Sequence, residues 1–175
     1  MKRVPSPILH PMIPVPADNA ELPQLQVSRW FNAPADFSLA HLRGRVVILH
    51  TFQMLCPGCV LHAFPQLNRL AALQLPDLAI VGLHTVFEHH AVMNERALEV
   101  FLHEYRIDHP IGVDAYAPGE SAPKTMRALA LRGTPSLVLI DRQGRLRDQH
   151  FGAVDDLMLG CLIGSLLAEP APQPL

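Results

Sequence analysis

Cysteine is scarce in this chain, with three in 175 residues. That number excludes the disulfide scaffolds that hold small secreted domains together. An excess of one charge sign is also missing. Fourteen Lys and Arg stand against 16 Asp and Glu, a net charge of −2, and neither sign forms a block. Such a balance gives no footing for nucleic acid or for an anionic membrane surface. No apolar run approaches the roughly 20 residues that span a bilayer. The start offers little to an export signal either. Met1-Lys2-Arg3 supplies the charge of one, but Pro5, Pro7, Pro11, Pro14 and Pro16, with His10, Asp18 and Asn19, interrupt any apolar core behind it. With Met1 as the natural start, the sequence predicts a cytoplasmic protein.

What is present is a hydrophobic chain, 49% apolar and aromatic against 17% charged. Its length suits one domain with its own core. Prolines crowd both ends, so residues 1–26 read as a Pro-rich arm, 27–168 as the folded unit and 169–175 as a Pro-rich tail. Arg45–Phe52 and Leu78–Leu83 are β-branched, nearly continuous apolar runs, the pattern of strands buried on both faces. A helix is expected from Pro57 to Leu73, with Val60, Phe64, Leu67 and Ala71 on one face and a kink at Pro65. Further helices are expected over 92–106, 123–131 and 155–168, and a short strand at 111–113. Asp141-Arg142-Gln143-Gly144 has turn chemistry between Ser136–Ile140 and Leu146–Phe151, which predicts a hairpin. Strands alternating with helices, then a hairpin and a helix, imply an α/β fold with a central mixed sheet and helices on both faces.

The chemistry concentrates at Cys56-Pro57-Gly58-Cys59, where a buried strand gives way to a helix. Free N–H groups and the dipole at a helix N-terminus stabilise a thiolate, so Cys56 is expected to be the nucleophile. Its attack on a disulfide gives a mixed disulfide, which Cys59, one turn on, resolves. A zinc half-site is the competing reading. His62 would add a third ligand, but no second CxxC exists and Cys161 stands alone, so redox chemistry is preferred and neither metal nor cofactor is expected. Gly133-Thr134-Pro135 directly precedes a strand and is the second element.

In that order the motifs resemble the thioredoxin-like superfamily, in its TlpA/ResA-type branch of thiol–disulfide oxidoreductases. Ala33–Leu39, Leu42–Arg45, Cys56–Cys59, Pro65, Gly133-Thr134-Pro135 and Leu139–Gly144 carry the resemblance over about 30–168. Gly82–Glu88 and His109-Pro110 resemble a subgroup that includes NHL-repeat proteins and the DipZ C-terminus. The resemblance implies a thioredoxin-like fold, a cis-Pro135 facing the CxxC, and a Thr134 backbone that pairs with a bound substrate strand. It implies a protein or small-molecule disulfide as substrate and an electron donor that the sequence does not identify.

His50 occupies the position, six residues before Cys56, where thioredoxins hold a buried Asp. It reads either as the base that takes the Cys59 proton or as a hydrogen-bonded core histidine. The chain departs from the pattern at Leu55, where a Trp is usual, at Pro57-Gly58, which reverses the thioredoxin order, and at Pro65, one residue further on. That last spacing matches AhpC/TSA peroxiredoxins, which makes a thiol peroxidase with Cys59 as peroxidatic cysteine the alternative; Arg132 lies near the place of its arginine. A binding module that senses redox state or holds a metal is the third reading. His84, His89, His90, His103 and His109 are expected to be surface groups or caps, and Cys161 a buried small residue. Met54 and Met126 fit either a groove near the cysteines or the core.

Overall fold

The computed structural model describes residues 22–171. Six strands form one mixed sheet: β1 (Val27–Phe31), β2 (Val46–Phe52), β3 (Leu78–His84), β4 (Ile111–Asp114), β5 (Ser136–Ile140) and β6 (Leu146–Phe151). Their spatial order is β1-β4-β3-β2-β5-β6. β2, β3 and β4 run parallel, while β5 and β6 on one side and β1 on the other are antiparallel to their neighbours. All seven residues of β2 and all seven of β3 are buried, as their unbroken apolar sequences require.

The helices are α1 (Phe64–Ala72), α2 (Glu95–Glu104), α3 (Lys124–Ala128) and α4 (Asp156–Ala168). Leu67 of α1 and Leu159, Ile163 and Leu166 of α4 pack on Val46, Ile48, Leu137 and Leu139. Phe52 and Phe64 continue that layer towards Leu98 and Leu102 of α2. On the opposite face, Met126, Leu129 and Leu131 cover Val47, Leu49, Val138 and Ile140, joined by Leu22, Leu25, Phe37 and Leu39. The expected two-sided layering is therefore present. Residues 22–26, read as part of the arm, lie on this face, and the Gln26 N–H donates to Thr125 Oγ1 at 2.9 Å. Arm residues 1–21 and tail residues 172–175 lie outside the described residues.

Local chemistry moves several boundaries. Asn94 caps α2 by accepting from the Ala97 N–H at 3.1 Å, so the helix starts at Glu95 rather than at 92. α3 ends at Ala128 because Ala130 turns left-handed (φ 51°) and the Leu131 N–H closes on the Met126 carbonyl. The hairpin turn is held by Asp141, whose carboxylate accepts from the Gln143 and Arg145 N–H groups, both at 2.9 Å. β1 escaped the sequence reading because a register shift between Val27 and Arg29 breaks its alternation.

The expected kink at Pro65 takes another form. The helix opens at Pro57 and passes through a π-helical turn, Cys59–Ala63, before α1. The Phe64 N–H reaches back to the Cys59 carbonyl, one residue further than in an α-helix. Proline has no N–H to offer and its ring crowds the carbonyl four residues back, and a wider turn relieves both.

Candidate functional site

Cys56 sits in the bend between β2 and the helix, half-buried, and Cys59 is fully buried. The Cys59 N–H donates to Cys56 Sγ at 3.3 Å, and the Cys56 Sγ–H reaches the Thr134 carbonyl at 3.4 Å. The accessible sulfur thus receives an amide donor from the first turn of the helix. The enclosed one does not share this environment. Burial, reinforced by its hydrogen-bonding with Cys56, pushes the Cys59 thiol up to about 12.

Pairing of Thr51 with Ser136 brings the start of β5 beside the end of β2, and so beside the cysteines. The Thr134–Pro135 bond there is cis. Gly58 faces it: a Cβ on Gly58 would stand 3.1 Å from Pro135 Cδ and 4.0 Å from Cys56 Sγ. The reversal to Pro57-Gly58 therefore puts the residue without a side chain against the proline loop. Sequence reasoning noted the reversal but not this packing. A cavity of about 220 Å³ opens alongside, lined by Pro135, His50, Leu61, Pro65 and Val154.

His50 is 2% exposed, and its ring packs against Phe52 and Phe64 at 5.5 and 5.3 Å. Burial, with a smaller contribution from His109, holds its pKa well below the ordinary value. Its Nε2 lies 2.8 Å from His109 Nε2, and its Nδ1 has no partner among the described residues. No hydrogen bond of His50 to either cysteine occurs among the described residues.

Several expectations are corrected. His84 is buried, not a surface group, and burial lowers it to about 4. His109 is largely enclosed and lowered to about 4 by burial, against a smaller opposing effect of Asp108. His84 is the last residue of β3 and His109 lies just before β4, so the sheet encloses them in a way that spacing along the chain does not reveal. His89, His90 and His103 are exposed, as expected. Cys161 is exposed on α4, since the helix turns Leu159 and Ile163 inwards instead. Met54 lies in the core with Cys59, while Met126 is buried in the opposite layer. Arg132 is exposed, with its guanidinium 5.6 Å from the Phe151 ring. Among the described residues, no group of three or more His, Cys, Asp or Glu side chains could hold a metal ion, and no helix is long and apolar enough to cross a membrane.

Solved structures share this architecture. A thioredoxin-like superfamily protein, SPOA0173, is 52% identical over 87% of this chain and 99% of its own, with a TM-score of 0.83. A thiol-disulfide isomerase from Corynebacterium glutamicum is 47% identical with the same coverage and a TM-score of 0.83. A secreted Mycobacterium tuberculosis disulfide oxidoreductase homologous to E. coli DsbE has the same fold at 19% identity, over 82% of this chain and 95% of that one, with a TM-score of 0.59. No protein-family model and no curated protein matches the chain. With two relatives near half identity over almost their whole lengths, the chain belongs to the thioredoxin-like superfamily, as a thiol–disulfide oxidoreductase.

Proposed function

We propose that the protein exchanges disulfides through the Cys56–Cys59 pair, reducing a protein or small-molecule disulfide in its dithiol form. The observation that carries this is the meeting of three groups at Cys56 Sγ: the Cys59 N–H at 3.3 Å, the Thr134 carbonyl at 3.4 Å and the face of Gly58 against Pro135. Cys56 is the nucleophile because it is half-exposed and receives the helix amide. Its thiolate attacks one sulfur of the substrate, the substrate S–S bond breaks, and a mixed disulfide forms on Cys56. An extended substrate segment lies along the Thr134 backbone, where main-chain bonds supply affinity with little demand on sequence. Cys59 then attacks Cys56 Sγ and releases the second thiol. With its thiol pushed up to about 12, Cys59 needs a base at that moment, and His50, neutral and enclosed, is assigned that role.

The test is the Cys56–Cys59 potential against glutathione, with thiols counted in wild type, Cys56→Ser and Cys59→Ser. A two-electron couple that needs both cysteines is expected. The opposite result would be no reversible couple, with Cys59 converting to sulfenic acid under peroxide in the Cys56→Ser variant. That outcome would replace the oxidoreductase with a peroxidase.

A further inference from the structure

His109 takes no part in the mechanism above, yet the fold goes far to hold it. Asn32 Nδ2 donates to the carbonyls of Ile107 at 2.7 Å and His109 at 3.2 Å. The Gly82 N–H donates to the Pro110 carbonyl at 2.8 Å, so the backbone is clamped on both sides of His109. Gly82 itself interrupts an aliphatic strand, where glycine costs stability. A Cβ there would stand 2.7 Å from His50 Nε2 and would collide with Ile111 Cδ1. β3 thus gives up a side chain at the place where the two imidazoles meet.

The rings meet Nε2 to Nε2 at 2.8 Å, so one nitrogen carries the proton and the other accepts it. His50 Nδ1 is enclosed without a partner among the described residues. A buried N–H lacking an acceptor is rarer than a buried acceptor lacking a donor. Nδ1 is therefore the lone-pair side of His50, and its Nε2–H donates to His109. His109 leads outwards. It is less buried than His50 and lines a cleft of about 410 Å³ with Arg45, Leu70, Gln74 and Pro76.

We propose that His109 is a positioning residue and the proton outlet of the resolving step, an inference that rests on His50 being the base. As the Cys59 thiol proton arrives at His50 Nδ1, the Nε2–H of His50 passes to His109 Nε2, and the Nδ1–H of His109 leaves through the cleft to water. The Cys59 thiolate attacks Cys56 Sγ, the bond from Cys56 to the substrate sulfur breaks, and the departing thiolate takes a proton from solvent. The dithiol is oxidised by two electrons and the substrate disulfide is reduced. When a donor dithiol reopens the Cys56–Cys59 bond, the same protons run inwards. His50 gains and loses a proton together, so no net charge rests on a ring packed against Phe52 and Phe64. Ionisable groups near the pair are His84 beyond Phe52 on β3, Asp108 and Arg45 beside His109, and, on the cavity that His50 lines, His62, Arg69 and Asp156. α1 and β5 present apolar side chains, Phe64, Leu67 and Leu137.

In a Cys161→Ser background, which removes the exposed third thiol, reaction with dithiobis(nitrobenzoate) under single-turnover conditions separates the steps, because attack by Cys56 releases one coloured thiolate and resolution by Cys59 releases the second. His109→Gln is expected to slow the second release about tenfold or more, since a positioned base contributes about 10²–10⁴-fold. The same variant should leave the first release within about twofold, flatten the pH profile of the second, and add nothing in a His50→Gln background. A slow His50→Gln beside a normal His109→Gln would overturn the outlet and keep the base. If His50→Gln resolves normally, both assignments fail. Parallel slowing of both releases in His109→Gln would mark a merely structural role and overturn the outlet as well. Should His109→Gln not fold, the wild-type protein decides through its imidazole ¹⁵N spectrum. One proton shared between the two Nε2 atoms, with His50 Nδ1 bare, supports the relay, and a protonated His50 Nδ1 overturns it.

Discussion

Gly58 and Pro135 lie face to face, and a methyl group would crowd the contact: a Cβ on Gly58 would come within 3.1 Å of Pro135 Cδ. Gly58 has helical φ and ψ (−62°, −34°), so alanine suits its backbone and would gain about 1 kcal/mol of helix propensity. Crowding against the proline costs a similar amount. Gly58→Ala is therefore expected to melt within a few degrees of wild type while turning over a disulfide substrate about tenfold more slowly. Parallel thermal melts and insulin-reduction rates check this, and an unimpaired rate would show that the proline loop tolerates displacement.

The three thiols should differ sharply towards an alkylating agent. Cys161 is exposed and Cys56 half-exposed, whereas Cys59 is fully enclosed with its thiol pushed up to about 12. Reactivity follows thiolate content and access. Iodoacetamide on the reduced native protein should label Cys56 and Cys161 within minutes and leave Cys59 for the denatured chain, as mass spectrometry of timed digests would read. Early labelling of Cys59 would contradict its burial.

Acid should weaken the fold through its buried histidines. Burial holds His84 and His109 at about 4, so both are neutral in the folded protein near neutral pH. In the unfolded chain they ionise near 6.5. Their folded pKa lies below the unfolded one, so stability is complete above about 6.5 and drains as pH falls from there towards 4. The loss is on the order of 3 kcal/mol for His84 alone. Asp114, raised by burial, works in the opposite direction. Urea titrations at pH 7 and pH 5 should show the drop, and His84→Leu should remove part of the slope.

Gly82→Ala should cost far more than an ordinary strand substitution, which would gain from the lost backbone freedom of glycine. The added methyl meets Ile111 and His50 inside a packed layer, and overpacking of this kind costs about 1–3 kcal/mol. The expected signature is a lower urea midpoint with an unchanged m-value, together with a slowed release of the second thiol.

Much of this was legible in the chain because it is local. The aliphatic runs of β2 and β3 admit no exposed face, and the Asp141–Gly144 turn fixes its hairpin by its own hydrogen bonds. The order Cys56–Cys59, Thr134-Pro135 and His50 marked the site. What stayed hidden depends on neighbours distant in sequence. His109 gains its meaning from His50, 59 residues away, and Gly82 reads as a weak spot in a strand until the imidazole above it is seen. β1 is an edge strand whose bulge spoils the period that identifies strands. Cys161 was misjudged because α4 is apolar almost all round, so composition could not say which side faces inwards.

The π-helical turn at Cys59–Ala63 also affects how this chain is compared with its relatives. A turn of that kind stores one surplus residue without lengthening the helix axis by a full turn. Counting residues from Cys59 therefore mispairs everything from Phe64 onwards with a chain that lacks the surplus, whereas placing a single-residue gap inside the turn restores Pro65 to the proline of the TlpA pattern. The surplus residue then accounts for the six-residue spacing from Cys59 to Pro65. An alignment of this chain with that pattern should carry its gap there.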